Sequence, residues 1–432
     1  MDQPNGRAAL AGALASLAFT GNALRPVARR GWLSLPAFLA AWPVSELPLQ
    51  TLAAQATSAV ALSARPGHRP RGRRAKVAAS ATALSWIGLV ALHRAARRSD
   101  RTLAEALRVG LGAADPAPPP APQPGPADVA AAGTTPRSVA PPARRSGVVR
   151  MMRIHRTYVH AADLSYGEYG GANLLDVWRR PDLTAAGGAP VLVQIPGGAW
   201  TMGNKQGQGH PLLSHLVDRG WVCVSISYRL GPRNVWPAQV VDVKRALAWV
   251  KENISDHGGD PNFVAVSGGS AGGHLAALAA LTPGDPAFQP GFEDADTSVA
   301  AAVPLYGVYD WTNRDGTGHD LLARHLEAKI VQARMADDPG PFESASPTGR
   351  VGPQAPPFFV VHGRNDSYVP VEQARSFVRA LRAASHEPVV FAELPFAQHA
   401  FDVLGSVRAE RTAEAVAQFL STVHKRHLGR QR

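Results

Sequence analysis

Beyond residue 156, short apolar runs alternate with longer stretches in which apolar positions recur every three or four residues. The runs at 191–195, 221–227, 263–267, 300–305, 358–361 and 389–394 are β-branched and almost free of polar residues, the pattern of strands buried on both faces. A further strand is read at 156–160. Helical periodicity lies at 211–218, 240–252, 271–281, 371–384 and 407–423, where one apolar stripe per segment can turn toward a sheet. The alternation predicts an α/β class fold: a mostly parallel sheet with helices on both faces. The rhythm breaks once, at 310–351, where charge, Gly and Pro fill a connection too long for a plain turn. That insertion is expected to be a cap or lid over the site.

The first third follows a different pattern. Apolar stretches occupy 8–24, 32–62 and 77–92, and none is a clean span. Pro43, Glu46, Pro48 and Gln50 interrupt the second. The third, at 1.5 Å per residue, covers about 24 Å of a hydrocarbon core roughly 30 Å thick. The first has a poor basic leader, with Asp2 and a lone Arg7, and is expected to stay uncleaved. Residues 1–112 are therefore read as an apolar helical region, basic at its flanks, forming a hairpin or interfacial helices on a membrane surface. The competing expectation is a soluble extension packed on the rest. Residues 113–147 are rich in Pro and Ala and too poor in large apolar groups to build a core, so they read as a linker. The α/β domain is then 148–432, and a chain starting near Arg145 is expected to be soluble and to carry whatever activity that domain has.

Charge sharpens this division. The 432 residues carry 45 Lys and Arg against 33 Asp and Glu, yet residues 1–150 hold 19 and 6 of these, while 151–432 hold 26 and 27. The basic residues flank apolar runs rather than interleave with aromatics, which argues against nucleic acid as a partner and for anionic headgroups. The expected location is membrane-associated, on a side the Lys and Arg distribution does not decide. Cys223, the single cysteine, lies inside an apolar run and reads as a core hydrophobe that excludes an internal disulfide.

Candidate chemistry centres on one motif. An apolar strand runs directly into Gly268-Gly-Ser270-Ala-Gly272 and then into a helical pattern. This is the context of a nucleophile elbow, where a sharp turn lifts a serine above the sheet. A serine hydroxyl needs a base, and the base needs an orienting carboxylate. Both follow in loops after strands: Asp366 after 358–361 and His399 after 389–394. Asp402, three residues past that histidine, and His362, at a strand end, lack the position. Acyl transfer also needs oxyanion donors. The strand 191–195 ends in Pro196-Gly-Gly-Ala199, so the N–H groups of Gly197 and Gly198, with that of Ala271, are the expected oxyanion hole. No metal-ligand spacing or phosphate-cradling loop is seen, so neither metal nor cofactor is expected.

Residues from about 150 to 425 resemble the α/β-hydrolase superfamily, specifically bacterial Lip-type carboxylesterases and lipases related to hormone-sensitive lipase. The resemblance rests on Gly220–Leu230, Val241–Val250, Gly259-Asp-Pro-Asn-Phe263, the Ser270 elbow and the Asp366 and His399 loops. It implies the α/β-hydrolase fold, with Ser270 as nucleophile, His399 as general base and Asp366 as its orienter. The family's His-Gly-Gly-Gly motif reads Pro196-Gly-Gly-Ala199 here, without the histidine that organises the loop. The expected function is a serine carboxylesterase or lipase acting on short- to medium-chain acyl esters, on a small-molecule or lipid substrate. An arylformamidase-like amidase on the same fold, and a membrane-anchored adaptor without turnover, are the alternatives.

Overall fold

A computed structural model of the chain describes residues 4–29, 31–64, 72–112 and 157–431, and the expected linker lies outside them. Five helices come first: α1 (Pro4–Leu24), α2 (Ser34–Glu46), α3 (Pro48–Ala64), α4 (Gly72–Arg97) and α5 (Ser99–Leu111). The strands are β1 (Val159–Ser165), β2 (Leu174–Trp178), β3 (Ala189–Ile195), β4 (Val222–Ile226), β5 (Gly259–Gly269), β6 (Ala301–Leu305), β7 (Phe358–Gly363) and β8 (Val389–Leu394). They form one sheet in the order β1-β2-β4-β3-β5-β6-β7-β8, antiparallel only where β2 meets β1 and β4. The connecting helices are α6 (His210–Val217), α7 (Ala238–Asn253), α8 (Ala271–Leu281), α9 (Asp320–His325), α10 (Gly340–Ser344), α11 (Val371–Ala384) and α12 (Val407–Arg430).

Strand alternation sends side chains to two faces. Val191, Val193, Val224 and Val266 enter the core under α7, α8 and α11, whereas Leu192, Cys223, Ala265 and Val303 enter the core under α6 and α12. Cys223 is fully buried, and burial pushes its thiol pKa up, as suits a core hydrophobe. β2 escapes sequence reading because a carboxylate interrupts it. Asp176 is fully buried and makes an ion pair with the buried ammonium of Lys205, which also lies 2.8 Å from Asp163.

The five N-terminal helices lie across the sheet domain instead of standing apart from it. Leu103 and Leu107 of α5 are buried in the same core as Val390 of β8 and Phe419 of α12. Arg426 donates to the Leu111 carbonyl at 2.8 Å. Glu46 at the end of α2 makes a fully buried ion pair with Arg408 of α12 and accepts from Ser406 Oγ at 2.9 Å. α4 packs on α1, where Thr20 and Ser85 hydroxyls are 2.9 Å apart. These contacts bear on the expectation that a chain starting near Arg145 is soluble and active, because such a chain leaves Arg408 buried without its partner.

The insertion at 310–351 is also bound tightly. Trp311, Leu322, Leu326, Ile330 and Phe342 join the main core, and the segment runs through α9, a π-helical turn at Leu326–Val331, and α10.

Candidate active site

The turn between β5 and α8 is narrow because glycine permits it. A Cβ on Gly272 would collide with the Ile195 carbonyl, and one on Gly268 would meet the backbone of Gly272. Ser270 sits between them at φ +58, its N–H donating to Leu305 O at 3.0 Å. Such a φ is unusual for a residue with a Cβ and points the hydroxyl away from the sheet edge.

The three residues expected to act together are brought together. Ser270 Oγ lies 2.8 Å from His399 Nε2, and His399 Nδ1 lies 2.7 Å from Asp366 Oδ2. Asp366 Oδ1 accepts the N–H groups of Tyr368 and Val369 at 2.9 and 2.7 Å, so its loop fixes the carboxylate before the imidazole binds. Burial opposes ionisation of Asp366, but the charge of His399 and the hydrogen bonds of His362 and His399 outweigh it and hold the carboxyl well below the usual range. His362 Nε2 lies 3.3 Å from Asp366 Oδ2, the same oxygen that His399 contacts, and bonds the Val369 carbonyl at 2.9 Å. Asp402 is bound by the Tyr306 hydroxyl, and the Tyr306 ring stands edge-on to His399 at 4.7 Å.

The loop after β3 bears on the expected donor set. The Gly197 N–H points to Gln208 Oε1 at 2.8 Å and is therefore occupied. The N–H groups of Gly198, Ala199 and Ala271 donate to no acceptor among the described residues. Gly198 has φ +125, and a Cβ there would strike the Met202 carbonyl, so only glycine fits. Gln208 was invisible to motif reading because it lies eleven residues past the glycine it binds.

Among the described residues no three His, Cys, Asp or Glu side chains form a group able to hold a metal ion.

With this geometry in hand, comparison with known proteins is direct. The BD-FAE family model matches residues 175–381. The chain is 52% identical over 417 residues to "Probable carboxylic ester hydrolase LipM" of Mycobacterium tuberculosis, covering 96% of this chain and 93% of that one. The chain belongs to the α/β-hydrolase carboxylesterases. Esterase LipQ of the same organism is 53% identical over 291 residues, 66% of this chain and 69% of its own. Among solved structures, Thermogutta terrifontis esterase 2 phosphonylated by sarin superposes with a TM-score of 0.54 at 25% identity, covering 61% of this chain and 95% of that one. The LipM match takes in the N-terminal helices, whereas the esterase 2 match leaves more than a third of the chain uncovered.

This carboxylesterase holds the 196–200 loop by means other than the missing histidine. Tyr228 OH donates to the Pro196 carbonyl at 2.9 Å, and His325 Nε2 bonds the Ala199 carbonyl at 2.9 Å from the 310–351 insertion. Trp200, at φ +58, donates through Nε1 to His274 Nδ1 at 3.2 Å, and His274 Nε2 then donates to the Ala345 carbonyl at 2.7 Å. One imidazole thus ties the oxyanion loop to the helix of Ser270 and to the insertion. His274 lies one helical turn after the serine, where sequence reading saw only a helix position.

Burial pushes the His274 pKa down to about 3, against a bond to Ala345 that opposes the shift. The folded protein therefore keeps this ring neutral at pH values where the unfolded chain protonates it. Stability should fall as pH drops from about 6.5 toward 3, by up to about 1.4 kcal/mol per pH unit from this group. Denaturant unfolding of His274→Gln across that window should show a flatter pH dependence than wild type. Equal slopes would mean the ring is not buried as described.

The N-terminal helices reach the site directly. Phe38 of α2 is buried with its ring edge-on to His399 at 5.7 Å and stacked on Tyr368 at 6.1 Å. Trp42 Nε1 donates to the Ala400 carbonyl at 2.9 Å, and Asn365, beside Asp366, donates to the carbonyls of Ala23 and Leu24 at 3.0 and 2.9 Å. Apolar patterning gave these helices but not their place over His399.

Proposed function

We propose that this carboxylesterase hydrolyses short- to medium-chain acyl esters through a covalent acyl-enzyme, with Ser270 as nucleophile, His399 as base and Asp366 as the group that orients and charges the base. The observation that carries the reading is the unbroken chain of hydrogen bonds from Ser270 Oγ through His399 to Asp366. His399 takes the Ser270 proton as Oγ attacks the ester carbonyl, then gives it to the departing alcohol. Water repeats the sequence against the acyl-enzyme, releasing the acid and restoring Ser270. The negative oxygen of each tetrahedral intermediate faces the N–H groups of Gly198, Ala199 and Ala271, the last at the N-terminus of α8, where the helix dipole favours negative charge. The existing hydrogen bonds leave these three donors to the oxyanion.

Phe38 and Tyr368 crowd one side of His399, which favours compact acyl groups. The 310–351 insertion acts as a cap through the His325 and Ala345 contacts, and 148–432 supplies the whole catalytic set. Residues 1–112 contact a membrane surface, supported by their basic flanks and by the one helical stretch among the described residues, Gly72–Leu111, that is long and apolar enough by composition to span one.

A series of p-nitrophenyl esters with lengthening acyl chains tests the reading: kcat/KM should peak at short to medium chains and fall for long ones. A Phe38→Ala variant should move the peak to longer chains. A rise through the longest chain in wild type, or faster cleavage of matched anilides, would contradict it.

A further inference from the structure

One groove lies outside the catalytic set. It has a volume of about 820 Å³ and is bounded by Leu52 of α3, by α4, and by the turn Pro395-Phe396 that precedes His399. The α4 wall has a definite polarity. Leu84, Ile87, Ala91, Arg94 and Arg98 follow one another at intervals of three or four residues and so share one helix face. Leu84 and Ile87 are 56% and 66% exposed. The opposite face of the helix is occupied, since Ala81, Ser85, Leu89 and Leu92 are buried. That packing leaves α4 one free side, as suits a helix lying on an interface rather than one surrounded by lipid.

Charge brackets the apolar stripe. Arg73, Arg74 and Lys76 stand at one end of α4 and Arg94 and Arg97 at the other, with Arg98 just past it and no Asp, Glu, Lys or Arg between Lys76 and Arg94. The guanidinium groups of Arg94 and Arg98 make no ion pair among the described residues. The indole N–H of Trp86, on the groove wall, is buried without an acceptor among them. An apolar trough with two free cations at its end is complementary to acyl chains joined to an anionic head.

We propose that this groove seats an anionic bilayer lipid, with its acyl chain against Ile87, Val90 and Phe396 and its phosphate on Arg94 and Arg98. The proposal deepens the membrane reading of residues 1–112 and rests on it. It orients the protein with α4 in the headgroup plane and the His399 loop facing the bilayer.

Vesicle co-sedimentation of the full chain tests it, using phosphatidylcholine alone and phosphatidylcholine mixed with phosphatidylglycerol. Each basic residue near an anionic surface contributes about 1 kcal/mol, so Arg94→Gln with Arg98→Gln should weaken binding to the anionic vesicles about thirtyfold. Hydrolysis of a water-soluble short ester by the same variant should be unchanged. A polarity-sensitive dye on Ile87→Cys reports the groove itself, because Cys223 is buried and escapes labelling. Its emission should shift to the blue on anionic vesicles and stay unchanged on neutral ones. No binding of the full chain to either vesicle would overturn the membrane reading and the groove with it. Wild-type binding by the double variant would overturn the groove alone. So would a blue shift without lipid that grows with protein concentration, which marks a second copy of the chain as the occupant.

Discussion

Ser270→Ala should lower ester hydrolysis by about 10⁴-fold or more in kcat while leaving the fold intact. In the proposed mechanism the side chain performs the covalent step; it contributes little burial, and alanine keeps the backbone of the elbow. His399 and Asp366 remain bonded to each other at 2.7 Å in such a variant, but no atom is left for the base to activate. Thermal unfolding should match wild type within a few degrees, which separates lost chemistry from lost structure. Steady-state kinetics on one short-chain ester, with a melting curve on the same sample, reads both. Retention of most of the activity would mean that another nucleophile is at work.

Glu46→Ala should destabilise the protein by about 3–5 kcal/mol, the usual cost of leaving a buried charge without its partner. Arg408 and Glu46 are both fully buried, and burial raises the Glu46 pKa despite the attraction of Arg408 and the hydrogen bonds of Ser406 and Ser45. The loss does not stay local. Arg408 also donates to the Pro395 carbonyl at 3.3 Å, so the unpaired guanidinium disturbs the turn that leads to His399. Activity should fall with stability, whereas a surface pair such as Arg430 with Glu387 should be removable at little cost. Removing residues 1–112 altogether adds the exposure of the apolar surface under Leu103 and Leu107 and should yield aggregated protein. Urea unfolding of Glu46→Ala decides the matter. A shift well under 1 kcal/mol would show that the N-terminal helices are only loosely attached.

The sheet was legible where strands are apolar on both faces, because burial on two sides leaves few polar residues in β3 to β8. β2 was not, since Asp176 and Lys205 place a buried ion pair where the apolar pattern should continue. The elbow, the acid and the histidine could be placed because each follows a readable strand. The oxyanion loop was half legible. Its glycines marked the turn, but which N–H groups remain free depends on Gln208, and no local pattern announces a partner eleven residues on. The clamp through His274 and the roof formed by Phe38 were hidden for the same reason: they are contacts between segments far apart in sequence. Arg and apolar patterning suggested that residues 1–112 face a membrane, yet could not reveal that their inner surface is part of the enzyme's core. Glu46 looked like an obstacle to membrane burial and proves to be the partner of Arg408.

The central claim is that Ser270 carries the acyl group during turnover. Reacting the full chain with a fluorophosphonate and locating the adduct by peptide mass spectrometry tests it most directly. The adduct should sit on Ser270, form with the same time course as loss of ester hydrolysis, and be absent from His399→Ala. An adduct on any other residue, or full activity in protein whose Ser270 is completely modified, would contradict the account.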